Sequence, residues 1–316
     1  MGNSMNLLII GGTGFIGQAL TREAIELGYT VSVISLHQPK SSNVVKGAQY
    51  FECDISSLEA TKSAIGEMDV QYVVNLGGYV DHSSILNGGS KVIDDHFNGV
   101  KNLVLALNWD ALKGFVQIGS SDEYGNLPGP QNEDMREQPI SPYSLGKLAS
   151  TQFLQMLHRV EGFPATILRL FLVYGPKQSE NRFLPQVIGG CLRDETFATS
   201  EGKQLRDFCH ISDVIRGVFL ALLSDAGHGE VFNLASGVPV SIRTVLMMIQ
   251  KYIGKGKPDF GAYPYREGEN MALFADVQKA KSILNWEAEI SIEDGLVETI
   301  SFYADEFDGG NDVSTL

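Results

Sequence analysis

Two side chains in this sequence stand at a spacing suited to proton transfer. Tyr143 and Lys147 lie four apart in Ser141-Pro142-Tyr143-Ser144-Leu145-Gly146-Lys147. Pro142 near a helix start and the apolar spacing of Leu145, Leu148, Phe153, Leu154 and Leu157 predict a helix over 142–160. On it, Tyr143 and Lys147 share one face. A phenol titrates near ~10, and an ammonium beside it favours the phenolate, lowering that value toward working pH. Alone, such a pair is usually just two surface residues. The preceding stretch adds a third group. Phe115-Val116-Gln117-Ile118 reads as a buried strand, and Ser120, in Gly119-Ser120-Ser121-Asp122-Glu123-Tyr124-Gly125, stands at its carboxyl end. Open α/β sheets bind their ligands at that end.

A ligand of a particular kind is indicated at the start of the chain. Asn6-Leu7-Leu8-Ile9-Ile10 is a continuous apolar run, hence a buried strand, and it opens into Gly11-Gly12-Thr13-Gly14-Phe15-Ile16-Gly17 ahead of a helical pattern reaching Leu27. Glycines there let the backbone approach a pyrophosphate, which rests on the helix N-terminus. This predicts a dinucleotide site formed by Gly11, Thr13, Gly14, Phe15, Ile16 and Gly17. The next strand, Thr30 to Ile34, ends at Ser35, where an NAD site usually carries an acid for the ribose 2′-hydroxyl. Ser35, with His37 and Lys40 after it, favours NADP, since no carboxylate repels a 2′-phosphate; the alternative is that the two basic residues are merely solvated.

Strands and helices alternate onward. Strands are expected at 49–53 and 70–75 and at 165–170, and helices near 57–66 and 91–109. That alternation predicts a doubly wound parallel sheet. At 316 residues, 43% hydrophobic and 20% charged, the chain has the composition of an ordinary globular protein. A net charge of −14 argues against a nucleic-acid partner. Cys53, Cys191 and Cys209 have no metal-type spacing and suggest a reducing compartment, hence a cytoplasmic location, with Cys53 and Cys209 in the core and no metal site. No apolar run is long enough for a membrane span, and no signal-peptide pattern is present.

Taken together, glycines 11, 14 and 17, Asp54, Ser120 and Tyr143-x-x-x-Lys147 resemble the extended short-chain dehydrogenase/reductase family, in its nucleotide-sugar epimerase, dehydratase and reductase group. Further on, Arg169 to Pro176, Gln204 to Val214, Val231 to Gly237 and Asp276 to Ala280 resemble segments of the same group, so the likeness spans about 6–303. It implies a Rossmann-type sheet over 5–170, with 205–226 and 231–236 returning to it, and a smaller C-terminal substrate-binding lobe mainly from 171–303. Residues 304–316 read as a disordered tail. The resemblance also assigns roles. Tyr143 becomes the acid/base, Lys147 its partner and a ribose ligand, and Ser120 the hydrogen-bond donor to the reacting oxygen. Asp54, Ile55, Leu76, Gly77 and Gly78 join the cofactor site, while Ser83, Ser121, Asp122, Arg206 and Arg266 face the substrate. It further implies a homodimer through the helices at 91–109 and 142–160, which carry Phe97, Leu107, Phe153 and Met156.

Departures from the group bear on the reaction. His96 stands where Asn is common, and Leu172 replaces an Asn that commonly contacts the substrate near its phosphates. Dehydratases of the group carry Thr-Asp-Glu before the Tyr-Gly pair. Without a gap those positions are Ser120, Ser121 and Asp122; a one-residue shift brings Asp122-Glu123 into register with the acid pair. Ser35 and Ser121 both tilt the expectation toward NADPH-dependent reduction of the C4 ketone of a nucleotide-linked 4-keto-6-deoxy sugar. A nucleotide-sugar 4-epimerase or 4,6-dehydratase using bound NAD is the alternative, and a cofactor-sensing regulatory protein the non-enzymatic one.

Overall fold

The computed structural model describes residues 5–311 apart from 267. The early chain alternates β1 (Asn6–Ile10), α1 (Phe15–Glu26), β2 (Thr30–Ser35), β3 (Gln49–Glu52), α2 (Leu58–Ile65) and β4 (Tyr72–Asn75). It continues through α3 (Gly89–Ala106), β5 (Gly114–Ser120), α4 (Pro142–Glu161) and β6 (Ala165–Leu170). The later elements are β7 (Leu172–Tyr174), α5 (Phe183–Leu192), β8 (Thr196–Thr199), β9 (Leu205–His210) and α6 (Ile211–Leu222). After them come β10 (Val231–Leu234), β11 (Pro239–Ser241), α7 (Ile242–Ile253), β12 (Lys257–Phe260), β13 (Ala272–Leu273), α8 (Gln278–Leu284) and α9 (Ile292–Asn311).

Seven strands among the described residues form one parallel sheet, in the order β10-β6-β5-β4-β1-β2-β3. Apart from the half-exposed edge strand β3, their apolar runs are buried on both faces, as a sheet covered on both sides requires. Leu20, Ala24, Val214 and Val218, from α1 and α6, pack on one face; Val100, Leu103, Val104 and Leu154, from α3 and α4, pack on the other. Chain order reverses between β1 and β4, so the chain leaves their carboxyl ends toward opposite faces of the sheet, α1 on one and α3 on the other, and a crevice is left there.

Helix α4 is fixed at both ends by its own residues. The Ser141 side chain accepts from Ser144 N at 3.1 Å, Pro142 opens the first turn, and Gly162 closes the helix in the left-handed region. Pro142 and the apolar spacing indicate 142–160, within a residue of these ends.

A smaller sheet is built by β11, β9 and β13, with β7 added beside β9, over a separate core that includes Tyr174, Leu184, Ile188, Phe208, Val245 and Leu296. Two expectations need correction. Residues 231–234 do return to the large sheet beside β6, but 205–210 form the centre of the small sheet, and it is α6, with Cys209 just before it, that packs back on the first. Apolar content alone could not decide which sheet β9 joins. Residues 304–311, expected as tail, continue α9, whose Leu296, Ile300 and Tyr303 anchor it to the small core. Residues 312–316 lie outside the described residues.

Candidate active site

A cleft of about 620 Å³ opens where the crevice meets the small sheet. Its floor is the Gly11–Gly17 turn and the ends of β4 and β5. Its far wall is 170–174 with the start of α5. Such concave sites at topological switch points are where α/β folds bind ligands.

Ser120, Tyr143 and Lys147 all line this cleft. Tyr143 is 7% exposed and Lys147 6%. The Lys147 ammonium donates to the Ile118 carbonyl at 3.0 Å and lies 6.0 Å from the centre of the Tyr143 ring. Burial pushes its pKa down to about 8, against the opposing pull of Glu123. The sequence-based expectation that Lys147 lowers the phenol's pKa is not met in this state of the site. Burial drives Tyr143 up to about 12, with the Ser120 hydroxyl pulling the other way. Desolvation outweighs neighbouring charge because both groups are enclosed and the ammonium is turned toward Ile118.

His96 also reaches the cleft, its ring edge-on to Tyr143 at 5.2 Å between centres. Its Nε2 lies 2.9 Å from the Tyr79 carbonyl, a contact that requires the proton on that nitrogen. Burial, then Lys147, hold its pKa down at about 4, so the ring is neutral. His96 therefore props Tyr143 and the 76–80 loop rather than adding a charge.

The segment after Ser120 turns sharply, and this separates its two acids. Asp122 lines the cleft, with His82 Nε2 at 3.8 Å from its Oδ2. Glu123 is fully buried behind it and ion-paired with Arg169 at 2.9 Å. The shifted register that would bring both acids to the substrate is thereby excluded, since Glu123 faces the sheet.

The cofactor side fits a dinucleotide. Gly11, Gly14, Phe15, Ile16 and Gly17 line the cleft at the start of α1, whose first turn has no acidic residue and no side-chain cap. Its free N–H groups are a ready anion site. At Gly17 a Cβ would stand 2.4 Å from the Gly11 carbonyl, so only glycine lets the turn close. Leu76 and Gly78 line the same space, with Gly77 between them and its N–H bonded to Asn75 Oδ1. Ser35 is buried and accepts the Thr13 hydroxyl at 3.2 Å, so the strand end where an acid was sought carries a small neutral pair.

Other expected residues stand outside the cleft lining. His37 and Lys40 are exposed beyond β2. Asp54 accepts from Ser56 N, and Ile55 packs behind Gly77. Ser83 N bonds Asp81 Oδ1. Arg206 is ion-paired with Glu269 and donates to the Asn270 carbonyl, while Arg266 lies exposed on the loop before β13. Sequence reasoning missed Arg182, Gln178 and Tyr174, which line the far wall. Arg182 stands at the start of α5 and is the cation whose field lowers the Tyr143 phenol's pKa. Its only sequence signal is a basic residue before a helical apolar run, which is too common to single out.

Comparison with known proteins places these observations in a family. The chain is 27% identical over 312 residues to a UDP-glucuronate 4-epimerase of Thermodesulfobacterium geofontis, covering 93% of this chain and 95% of that one. The UDP-glucose 4-epimerase of Thermotoga maritima, solved with UDP-glucose, superposes with a TM-score of 0.87 at 27% identity, over 96% of this chain and all of that one (100%). MoeE5, solved with UDP-glucose and NAD, gives a TM-score of 0.84 at 26% identity, over 96% and 99% of the two chains. These similarities favour the epimerase and dehydratase alternatives over the ketone reductase that the sequence pattern suggested. The sequence profile of the NAD dependent epimerase/dehydratase family matches residues 7–235, and this chain belongs to that family.

Proposed function

We propose that the chain is a nucleotide-sugar 4-epimerase working with a bound NAD. The observation carrying this reading is the cleft's set of reactive groups. Ser120, Tyr143 and Lys147 converge there, and Asp122 is the only carboxylate among the described lining residues. A 4,6-dehydratase needs an acid/base pair in addition, and Glu123 is withdrawn into an ion pair. Epimerisation at C4 needs only the three. Relatives acting on UDP-glucuronate and UDP-glucose support the same choice.

When bound, the nicotinamide would supply reversible hydride chemistry at C4. The chain's own residues handle the proton. Tyr143 removes it from the C4 hydroxyl and returns it to the same oxygen, while Ser120 hydrogen-bonds that oxygen. Lys147 holds ribose hydroxyls. The Gly11–Gly17 turn takes the pyrophosphate, and the nucleotide-sugar lies toward the small sheet and Arg182. Ser35 favours a second reading, an NADPH-dependent reductase, because it leaves a 2′-phosphate unopposed. A homodimer is part of the proposal: Leu105, Leu145, Met156 and Val160 on α3 and α4 are exposed.

The test is incubation of the purified protein with UDP-glucose and with UDP-glucuronic acid, followed by NMR. Formation of the 4-epimer without net change in nicotinamide absorbance is the expected result. A 4-keto-6-deoxy product would mean a dehydratase. Oxidation of NADPH by an added 4-keto-6-deoxy nucleotide-sugar, with no epimer formed, would establish the reductase instead.

A further inference from the structure

The buried carboxylate behind Ser120 has no place in the reaction just described, yet it touches every element that carries it. Glu123 Oε1 accepts from Ser120 N at 2.9 Å. Its Oε2 accepts from the Thr151 hydroxyl on α4 at 2.9 Å and from Arg169 Nε on β6 at 3.0 Å. Arg169 is itself fully buried, donates to Glu137 at 2.6 Å on the loop before α4, and lies 4.5 Å over the Tyr124 ring. Gly119 leaves the room for this: a Cβ there would lie 2.6 Å from Glu123 Oε1. One side chain thus ties the end of β5 to the helix bearing Tyr143 and Lys147.

We infer that Glu123 is the positioning residue of this site, setting the place of Ser120 against α4 and supplying a fixed negative charge behind Tyr143 and Lys147. The proposal rests on the reading of Ser120, Tyr143 and Lys147 as the reacting groups. Two parts of the carboxylate's role are separable. Its length sets geometry, and its charge balances Arg169. The charged and titratable groups facing it are Arg169 on β6, Tyr143 and Lys147 on α4, and Asp122 beside it; Glu137 meets the far side of Arg169, and Lys147 is faced in turn by the neutral His96 ring of α3. The negative charge opposes loss of the Lys147 proton, in the direction that keeps the ammonium.

Glu123→Asp keeps the charge but is one methylene short of spanning Ser120, Thr151 and Arg169. It should lower kcat about 10–100-fold, as small misplacements of reacting groups do, with KM for the nucleotide-sugar changed less than about threefold. Glu123→Gln keeps the length and loses the charge. Lysines carrying a 13C label at Cε, with the Lys147 signal assigned by its loss in Lys147→Arg, report the second effect. In the Gln variant the Lys147 midpoint should fall by at least about half a pH unit. An Asp variant with wild-type kcat, or a Gln variant whose Lys147 titrates unchanged, overturns the proposal. If both variants fail to fold, Thr151→Val cuts only the tie to α4; a several-fold drop in kcat supports the proposal, and an unchanged kcat overturns it. Should the wild-type protein epimerise no nucleotide-sugar, the functional reading fails, while the Lys147 titration still decides the role of Glu123.

Discussion

Tyr143 and Lys147 are buried in a site where each is held away from its ordinary pKa, and that is where the chemistry is most open to test. Tyr143→Phe keeps the ring and removes the proton, so turnover should fall roughly 10²–10⁴-fold with nucleotide-sugar affinity nearly unchanged, as read by steady-state kinetics and calorimetry. Lys147 titrates near 8 in the folded chain, against ~10.4 in a model peptide. Its ammonium is therefore half lost at about pH 8 and mostly lost above it, so cofactor affinity should decline as pH rises through 8. Calorimetric titration with NAD across pH 6.5–9.5 (an experimental range bracketing that shift) checks this, and Lys147→Arg should remove the decline. The linkage has the opposite sign for stability. Between about 8 and ~10.4 the unfolded chain holds the extra proton, so Lys147 makes stability rise with pH in that window. Lys147→Met should accordingly stabilise the fold at pH 7, by about 1–3 kcal/mol on the scale of buried charges replaced by apolar groups, while abolishing turnover. Thermal melts of the two proteins side by side decide it.

At the scale of elements, the site depends on two turns that leave parallel strands. The Gly11–Gly17 turn closes on backbone, with no space at position 17 for a methyl group. Gly17→Ala should therefore push the turn open, costing about 1–3 kcal/mol as overpacking does and weakening NAD binding at least about tenfold, the loss that 1.4 kcal/mol represents. Equilibrium dialysis with the cofactor would show it. The end of β2 carries Ser35, bonded to Thr13 of the glycine turn, and Ser35→Asp should shift preference toward NAD over NADP, since a carboxylate meets the 2′-hydroxyl and repels a 2′-phosphate. Tighter binding of NADP by the Asp variant would contradict this account of the turn.

The whole molecule joins a seven-stranded parallel sheet to a small mixed one, and the cleft belongs to both. Its floor comes from loops of the first and its far wall from residues around β7 and α5. On the outer side, α3 and α4 leave Leu105, Leu145, Met156 and Val160 exposed, while Leu107, named from the sequence as a surface candidate, is 7% exposed and packs in the core. Phe97 and Phe153 meet edge to face at 5.6 Å between ring centres, half-buried at the helix pair. If this face pairs with its symmetry mate, light scattering at micromolar concentration should give twice the 34.5 kDa chain mass. Met156→Glu combined with Val160→Lys should return a monomer with its cofactor affinity intact.

Strands β1 to β6, most helix bounds among them, the glycine turn and the Tyr143–Lys147 spacing were legible in the chain itself, because each rests on local rules: apolar runs, a proline at a helix start, and an i, i+4 spacing. Tertiary structure decided the rest. It placed 205–210 in the small sheet, since strand pairing is a long-range choice that apolar content does not encode. It carried α9 through 304–311, because a helix with few apolar residues is held by the core that its upstream residues reach. It sent Asp122 into the cleft and Glu123 into the fold, although the two are adjacent in sequence, because a tight turn after β5 points successive side chains in opposite directions. Arg206 is held by Glu269 and Arg182 stands in the cleft instead. The raised Tyr143 pKa likewise follows from enclosure, and burial is a property of the folded whole.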